Sequence, residues 1–227
     1  MRIPVVEGEA NGAAGRYTID LQPTKIVCIG RNYRAHAAEM GNEVPAEPIL
    51  FLKPPSAMVA SGEPIVRPRG YTRVEHEGEL AVVIARRARR IPAARALDHV
   101  LGLSCLNDVT VRDIQAKDGQ WTRAKGFDSF CPLGPVIRAG LDPTNLRLVT
   151  RVNGQVRQDG RTADLIFPVA QLIEFITRYM TLEPGDIVST GTPSGVGNLV
   201  PGDVVEVEIE GVGTLSNPVV DDLAAGS

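Results

Sequence analysis

Between residues 73 and 87 the chain reads RVEHEGELAVVIARR, an apolar run whose approach carries a carboxylate at every second position. Glu75, Glu77 and Glu79 share one parity with Ala81, Val83 and Ala85, and alternate residues of a strand face the same side. The acids therefore belong to the face that continues into Ala and Val. Same-face neighbours lie about 6.6 Å apart, so adjacent carboxylates repel by about 0.6 kcal/mol in water and about 2.5 kcal/mol at an effective dielectric of about 20. If the strand is buried, such a pair has to be protonated, salt-bridged or bound to a cation. A hydrated strand mouth satisfies the same pattern, and the three acids alone do not choose between the two.

A fourth acid tips the balance. Asp108 ends the apolar run VLGLSCLN, a lone carboxylate at the tip of a second strand. Three oxygen donors from neighbouring strands, with no cysteine beside them, describe a site for a hard cation: Mg²⁺, Mn²⁺ or Ca²⁺. Zinc is disfavoured, because the chain has only three histidines and none pair at ligand spacing. Gly78, between the acids, lets another backbone or a ligand approach closely. His76, of the opposite parity, reads as a packed, hydrogen-bonding histidine.

The rest of the sequence predicts many short elements. With 227 residues, 43% of them hydrophobic, the chain can bury a sizeable core, and one domain is the default at this size. The 23 glycines and 17 prolines are scattered rather than gathered in a linker, which favours strands and turns over a helical bundle. We expect an α+β, β-rich architecture: a short strand-and-turn segment over residues 1–24, then a single catalytic domain over 25–227. TKIVCIG, PILFLK and VLGLSCLND read as strands, and NYRAHAAEM as a helix stopped by Gly41-Asn42. LRLVTRVNGQVRQDG is a hairpin turning at Asn153-Gly154. Behind Pro168, FPVAQLIEFITRYM places Leu172, Ile173, Ile176 and Tyr179 on one helical stripe. TVRDIQAK reads as a helix with Thr110 as N-cap and Asp113 near its positive end. Two Pro-Gly-Asp turns, in LEPGDIVSTG and LVPGDVVEVEIEG, each launch a strand.

Several functions are excluded on the same grounds. A net charge of -3 gives no basic field for nucleic acid, and 4% aromatics are too few for a stacking platform. The densest basic run, Arg86, Arg87, Arg89 and Arg90, reads as a solvated strand end. Cys28, Cys105 and Cys131 are odd in number, widely spaced and set among apolar neighbours, so buried free thiols in a reducing compartment are expected. No run approaches membrane-spanning length and the N-terminus has no continuous apolar core, so a cytoplasmic location is expected. GTPSGVG lacks the Gly-Lys-Ser/Thr ending of a phosphate loop, VCIGRN has one glycine where a dinucleotide turn needs three, and no G-x-S-x-G is present.

Taken in order, KIVCIGRNYRAHAAEM, PILFLKP, HEGELAVVI, NDVTVRDIQ, WTRAKGFDSFCPLGP, VNGQVRQ and GDIVSTGTPSGVG resemble the fumarylacetoacetate hydrolase family over roughly residues 25–218. The chain looks most like its short members, such as acylpyruvate hydrolases and oxaloacetate decarboxylases. The resemblance implies a β-roll or sandwich with a few outer helices and a mobile lid over about 31–45, assembled as a homodimer. It places the metal ligands on Glu77, Glu79 and Asp108, with one divalent cation per chain, Mg²⁺ or Mn²⁺, and leaves Glu75 outside. Gly78 stands where relatives often have a larger residue, which would widen the pocket. The lid acid–base pair falls on His36 and Glu39, three apart and so on one helical face, and the active-site lysine on Lys125. Arg112 and Gln115 match substrate-contacting positions, and Thr190, Gly191 and Thr192 match a turn whose N–H groups receive a substrate carboxylate.

The expected substrate is a small 2,4-dioxo acid, an acylpyruvate or fumarylpyruvate, hydrolysed at a C–C bond to release pyruvate. The alternatives are oxaloacetate decarboxylation and isomerisation or decarboxylation of a 2-hydroxyhepta-2,4-diene-1,7-dioate type of substrate, since all three reactions pass through an enolate. A catalytically silent metal-binding dimer is the rival from a different class, and retention of His36, Glu39 and Lys125 argues against it.

Overall fold

The computed structural model describes residues 1–7, 15–41 and 43–222. Its largest sheet has nine strands, in the spatial order Arg16–Asp20, Arg2–Val6, Cys131–Arg138, Val100–Asn107, Gly78–Ile84, Ile187–Ser189, Ile26–Gly30 and Ile49–Lys53, with the short Met58–Val59 strand branching off Cys131–Arg138. A five-stranded sheet runs Gln155–Arg161, Arg147–Val152, Val204–Ile209, Gly213–Asp221 and Ile65–Arg67. Thr110–Val111, Val74–His76 and Gly197–Asn198 form a small third sheet of three. The strand-rich α+β class expected from the sequence is what forms.

The central strands of the nine-stranded sheet are buried on both faces, which explains the near-continuous apolar strands IVCIG and AVVI. Val27, Ile29, Leu80, Val82, Leu103 and Cys105 pack in one cluster with Leu148, Val207 and Ile209 of the five-stranded sheet and Leu172, Ile173 and Ile176 of the helix Val169–Tyr179. Residues of the opposite parity, Ile26, Cys28, Ala81, Val83, Leu106 and Leu133, join Ile3 and Val5 in a second cluster. Glu79 and Asp108 lie at the strand ends on that second side. All three cysteines are buried and free.

Local signals were mostly obeyed. Asn153 and Gly154 both take positive φ, 53° and 76°, the requirement of the two-residue hairpin turn. Tyr179 departs from its expected stripe: it is 62% exposed, resting edge-on against Phe175. Thr177 is buried instead, its hydroxyl accepting the Ile91 N–H. The helix expected from Thr110 spans Arg112–Asp118 with Val111 at the N-cap position and no side-chain cap. Thr110 lies on a strand beside Glu75, its hydroxyl drawn to Lys125 Nζ at 2.7 Å and donating to Asp108 O. Asp113 is in the first turn, but its carboxylate accepts the Thr72 and Arg73 N–H groups across the loop. Among the described residues no helix is long and apolar enough to cross a membrane.

Candidate active site

The acid run is not one continuous strand. Val74–His76 belongs to the three-stranded sheet, Gly78–Ile84 to the large one, and Glu77 is the residue between them. That switch is fixed from the neighbouring strand end: Glu77 N donates to Asn107 Oδ1 at 2.9 Å, and Asp108 N donates to Glu77 O at 2.8 Å. Glu77, Glu79 and Asp108 thereby offer carboxylate oxygens that all lie within 4.8 Å of one another, and all three residues are buried. Glu75, one step back, turns away to Arg112 Nε at 2.7 Å and Arg73 Nη2 at 2.9 Å.

Three negative charges buried this closely need compensation. Lys125 Nζ reaches Glu77 Oε2 at 2.8 Å and Asp108 Oδ2 at 2.6 Å, while Lys53 Nζ reaches Asp108 Oδ1 at 2.6 Å. Arg112 pairs with the other Glu77 oxygen. Burial alone would raise the Glu77 carboxyl, yet Lys125 and Arg112 outweigh it and hold the group well below the usual carboxylate range. Burial likewise works against the Lys125 ammonium, and Asp108 and Glu77 reverse it, keeping the lysine charged.

Glu79 is the exception. It has no salt bridge among the described residues; its Oε2 accepts from Ser189 Oγ and, at 2.8 Å, from the Gly191 N–H. Burial, then the Asp108 and Glu77 charges, push its carboxyl up to about 8. A divalent ion among these oxygens would remove that conflict and let all three acids ionise together. The donor set, hard oxygens only, fits the group that the sequence predicts, and the cluster could hold one divalent metal ion.

The remaining expected residues gather around a cavity of about 440 Å³ lined by Glu77, Glu79, His36, Arg112, Gln115 and Lys125, with Trp121, Phe51 and Thr192 in its wall. His36 is buried on the helix Arg34–Glu39, its Nδ1 3.3 Å from Glu39 Oε2. Glu39 in turn accepts the Gly195 N–H, at 2.9 Å to Oε1, which ties this helix to the loop after the Ile187–Ser189 strand. Asn32 fixes the helix's approach through bonds to Phe167 N, Phe167 O and Thr190 O. Gln115 accepts from Arg112 Nη1 at 2.7 Å. The segment about 31–45 thus contains an ordered helix closed by Gly41 at φ 66°; residue 42 lies outside the described residues.

One expectation about the pocket is corrected and a second is narrowed to a single residue. Gly78 does not widen it: a Cβ there would overlap Thr150 Oγ1 and crowd Gln158 and Val207, so the five-stranded sheet fills the space instead. The turn of Thr190, Gly191 and Thr192 does grip a carboxylate, but it is that of Glu79, through the Gly191 N–H. The Thr190 N–H and hydroxyl are both spent on Leu80 O, and only Thr192 lines the cavity, donating to Gly78 O at 2.8 Å and accepting from Gln158 Nε2.

Lys53, Ser189 and Gln158 were not singled out from the sequence. Lys53 had a signal, a lysine closing the apolar strand ILFLK, and it is among the most buried side chains of the protein. Gln158 bonds Gly78 N, His76 Nδ1, Thr192 Oγ1 and Pro193 O, and nothing local in VRQDG announces that.

The profile of the fumarylacetoacetate (FAA) hydrolase C-terminal family matches residues 25–220. A mitochondrial oxaloacetate tautomerase of Arabidopsis thaliana is 45% identical over 197 residues, covering 84% of this chain and 88% of that protein. A crystal structure described as a 5-carboxymethyl-2-hydroxymuconate delta-isomerase from Mycobacterium smegmatis superposes with a TM-score of 0.84 at 50% identity, covering 89% of this chain and 81% of the other. A 2-hydroxyhepta-2,4-diene-1,7-dioate isomerase from Mycobacterium marinum gives a TM-score of 0.84 at 44% identity, over 96% and 83% of the two chains. The chain belongs to the fumarylacetoacetate hydrolase family, whose named members include a tautomerase and isomerases.

Proposed function

We propose that this protein interconverts the keto and enol forms of a short 2-oxo dicarboxylate of the oxaloacetate type. One observation carries the reading: a buried imidazole braced by a carboxylate opens on the same cavity as three clustered acids and their lysines. With Nδ1 turned to Glu39, His36 has Nε2 left to take a proton from the carbon next to the 2-oxo group. Glu39, itself anchored on Gly195, holds the ring in that orientation. Lys125 and Arg112 face the negative charge that develops on the substrate's oxygen, and Gln115 steadies Arg112. The proton leaving carbon and the proton reaching oxygen balance, so no atom is gained or lost. Glu77, Glu79 and Asp108 would hold one Mg²⁺ or Mn²⁺, which when bound supplies Lewis-acid polarisation of the 2-oxo oxygen.

The names of the relatives support placing isomerisation ahead of the acylpyruvate hydrolysis expected first from the sequence. Hydrolysis stays as the second reading because a cavity of about 440 Å³ has room for an acyl tail and a water. There His36 and Glu39 would activate the water. A homodimer goes with either reading, and sedimentation checks it.

Following the enol absorbance of oxaloacetate tests the proposal. Wild type should speed the approach to the keto–enol equilibrium when magnesium or manganese is present, and Glu77→Ala should not. Equal rates for wild type, variant and buffer would refute it. An acylpyruvate consumed with release of pyruvate, with oxaloacetate untouched, would favour hydrolysis.

A further inference from the structure

Arg31 begins the segment that leaves the Ile26–Gly30 strand, and its backbone takes φ 57°. A long, non-glycine side chain rarely takes that conformation, and residues held in it cluster at functional sites. The constraint is visible on both sides. Upstream, the Trp121 ring lies so close on the bare Cα of Gly30 that any Cβ would overlap the indole. Downstream, Asn32 is held by its three side-chain bonds. The Arg31 guanidinium stands over Trp121, 5.9 Å from the ring centroid, and lines the cavity shared by Glu77, Glu79 and His36.

Charge accounting isolates this group. The acids of the cavity's ion-pair cluster are Glu75, Glu77, Glu79 and Asp108, with Glu39 apart from them against His36 and the Gly195 N–H. The cations paired with them are Lys53, Lys125, Arg112 and Arg73, which gives four of each sign. Arg31 stands outside these pairs: among the described residues it has no acid or carbonyl partner, although it is half-buried. With Glu39 counted as well, a divalent ion on the acid cluster would leave two uncompensated positive charges about the cavity. A monocarboxylate removes one of them and a dicarboxylate removes two.

We infer that Arg31 receives the distal carboxylate of a dicarboxylate substrate and so sets a preference for diacids over monoacids. This rests on reading the cavity as a 2-oxo acid site. The planar guanidinium matches a carboxylate in bidentate fashion. Trp121 beneath it restricts its rotamers in advance, which lowers the ordering cost of binding. Arg31 is a specificity-determining residue and moves no proton.

Malate and lactate provide the test, since they share a 2-hydroxy carboxylate and differ by the distal carboxylate. Both are titrated calorimetrically into the whole chain in excess magnesium, using wild type, Arg31→Asn and Arg31→Lys. Asparagine adopts positive φ readily, so Arg31→Asn removes the guanidinium without straining the turn. Wild type should bind malate on the order of tenfold or more tighter than lactate; Arg31→Asn should lose that margin while keeping its lactate affinity, and Arg31→Lys should fall between. With oxaloacetate, Arg31→Asn should raise KM more than it lowers kcat. An undiminished malate margin in Arg31→Asn overturns the assignment, as does a wild type that binds both acids equally. Failure of wild type to bind either acid would instead sink the 2-oxo acid reading beneath it.

Discussion

The Gly191 N–H donates to Glu79 Oε2 across 2.8 Å, so the Thr-Gly-Thr turn is anchored on a member of the acid cluster. Gly191 sits at φ 97°, and a Cβ there would collide with Asn32, so this position requires glycine. The turn, the approach to the His36 helix and the acid cluster are thereby one mechanical unit.

That unit predicts a pH dependence. With the Glu79 carboxyl raised to about 8, against about 4.3 for a free glutamate, the folded chain without a cation keeps a proton that the unfolded chain has lost. Its stability therefore falls as pH rises between those values. A divalent ion requires the carboxylate and offsets the loss. Added magnesium or manganese should raise Tm more at pH 8 than at pH 6, with chelator abolishing the difference. Thermal scans in paired buffers check this, and equal shifts at both pH values would contradict it.

His36 should matter to turnover and not to the cation. His36→Asn is expected to lower kcat by about 100-fold or more while leaving magnesium affinity within about twofold. Stopped-flow enol decay and calorimetry measure the two quantities. A large loss of metal binding would put His36 among the ligands instead.

Gly78 is predicted to be intolerant for a reason unrelated to substrate. Gly78→Ala drives a methyl group into Thr150 Oγ1 and should cost about 1–3 kcal/mol, a Tm loss of several degrees at this chain length. Thr150→Ala in the same chain should restore much of it, so a double-mutant cycle by thermal melting will show coupling of the two sites. Purely additive losses would mean that the two residues do not meet.

Asp186 is the stability switch on the acid side. Its buried carboxylate accepts the Thr24, Lys25 and Glu183 N–H groups and the Thr24 hydroxyl, and pairs with Lys25 Nζ. Burial opposes the charge, but these donors outweigh it and hold the carboxyl below its usual range. The stability it contributes is full above about pH 3.9 and is lost as pH falls through the lower, folded value. Asp186→Asn should cost about 1–3 kcal/mol at neutral pH and flatten the acid limb of urea-unfolding stability. An acid limb identical to wild type would remove Asp186 from this role.

Much of the architecture was legible because it rests on local rules. The Asn153-Gly154 hairpin follows from backbone preference, and the strands around Cys28 and Val82 from apolar runs between turns. The acid run and Asp108 were legible as a candidate cation site from their chemistry, while the choice of Glu77 and Glu79 over Glu75 came from the family resemblance. What stayed hidden depends on parts of the chain distant in sequence. Lys53 and Lys125 meet at Asp108 from 55 and 17 positions away, and Gly78 is filled by Thr150 of another sheet. Thr110 has the local look of a cap, yet a lysine in the site outbids the helix for its hydroxyl. Tyr179 fits the helical period, but it lies in the final turn, where the packing has already ended at Thr177.

The most direct test is calorimetric titration of magnesium and manganese into the purified chain and into Glu77→Gln, Glu79→Gln and Asp108→Asn. The expected result is one ion per chain in wild type, with each near-isosteric variant still folded but binding more than about 100-fold more weakly. A wild type that binds neither ion, or variants that bind both as wild type does, would contradict the account.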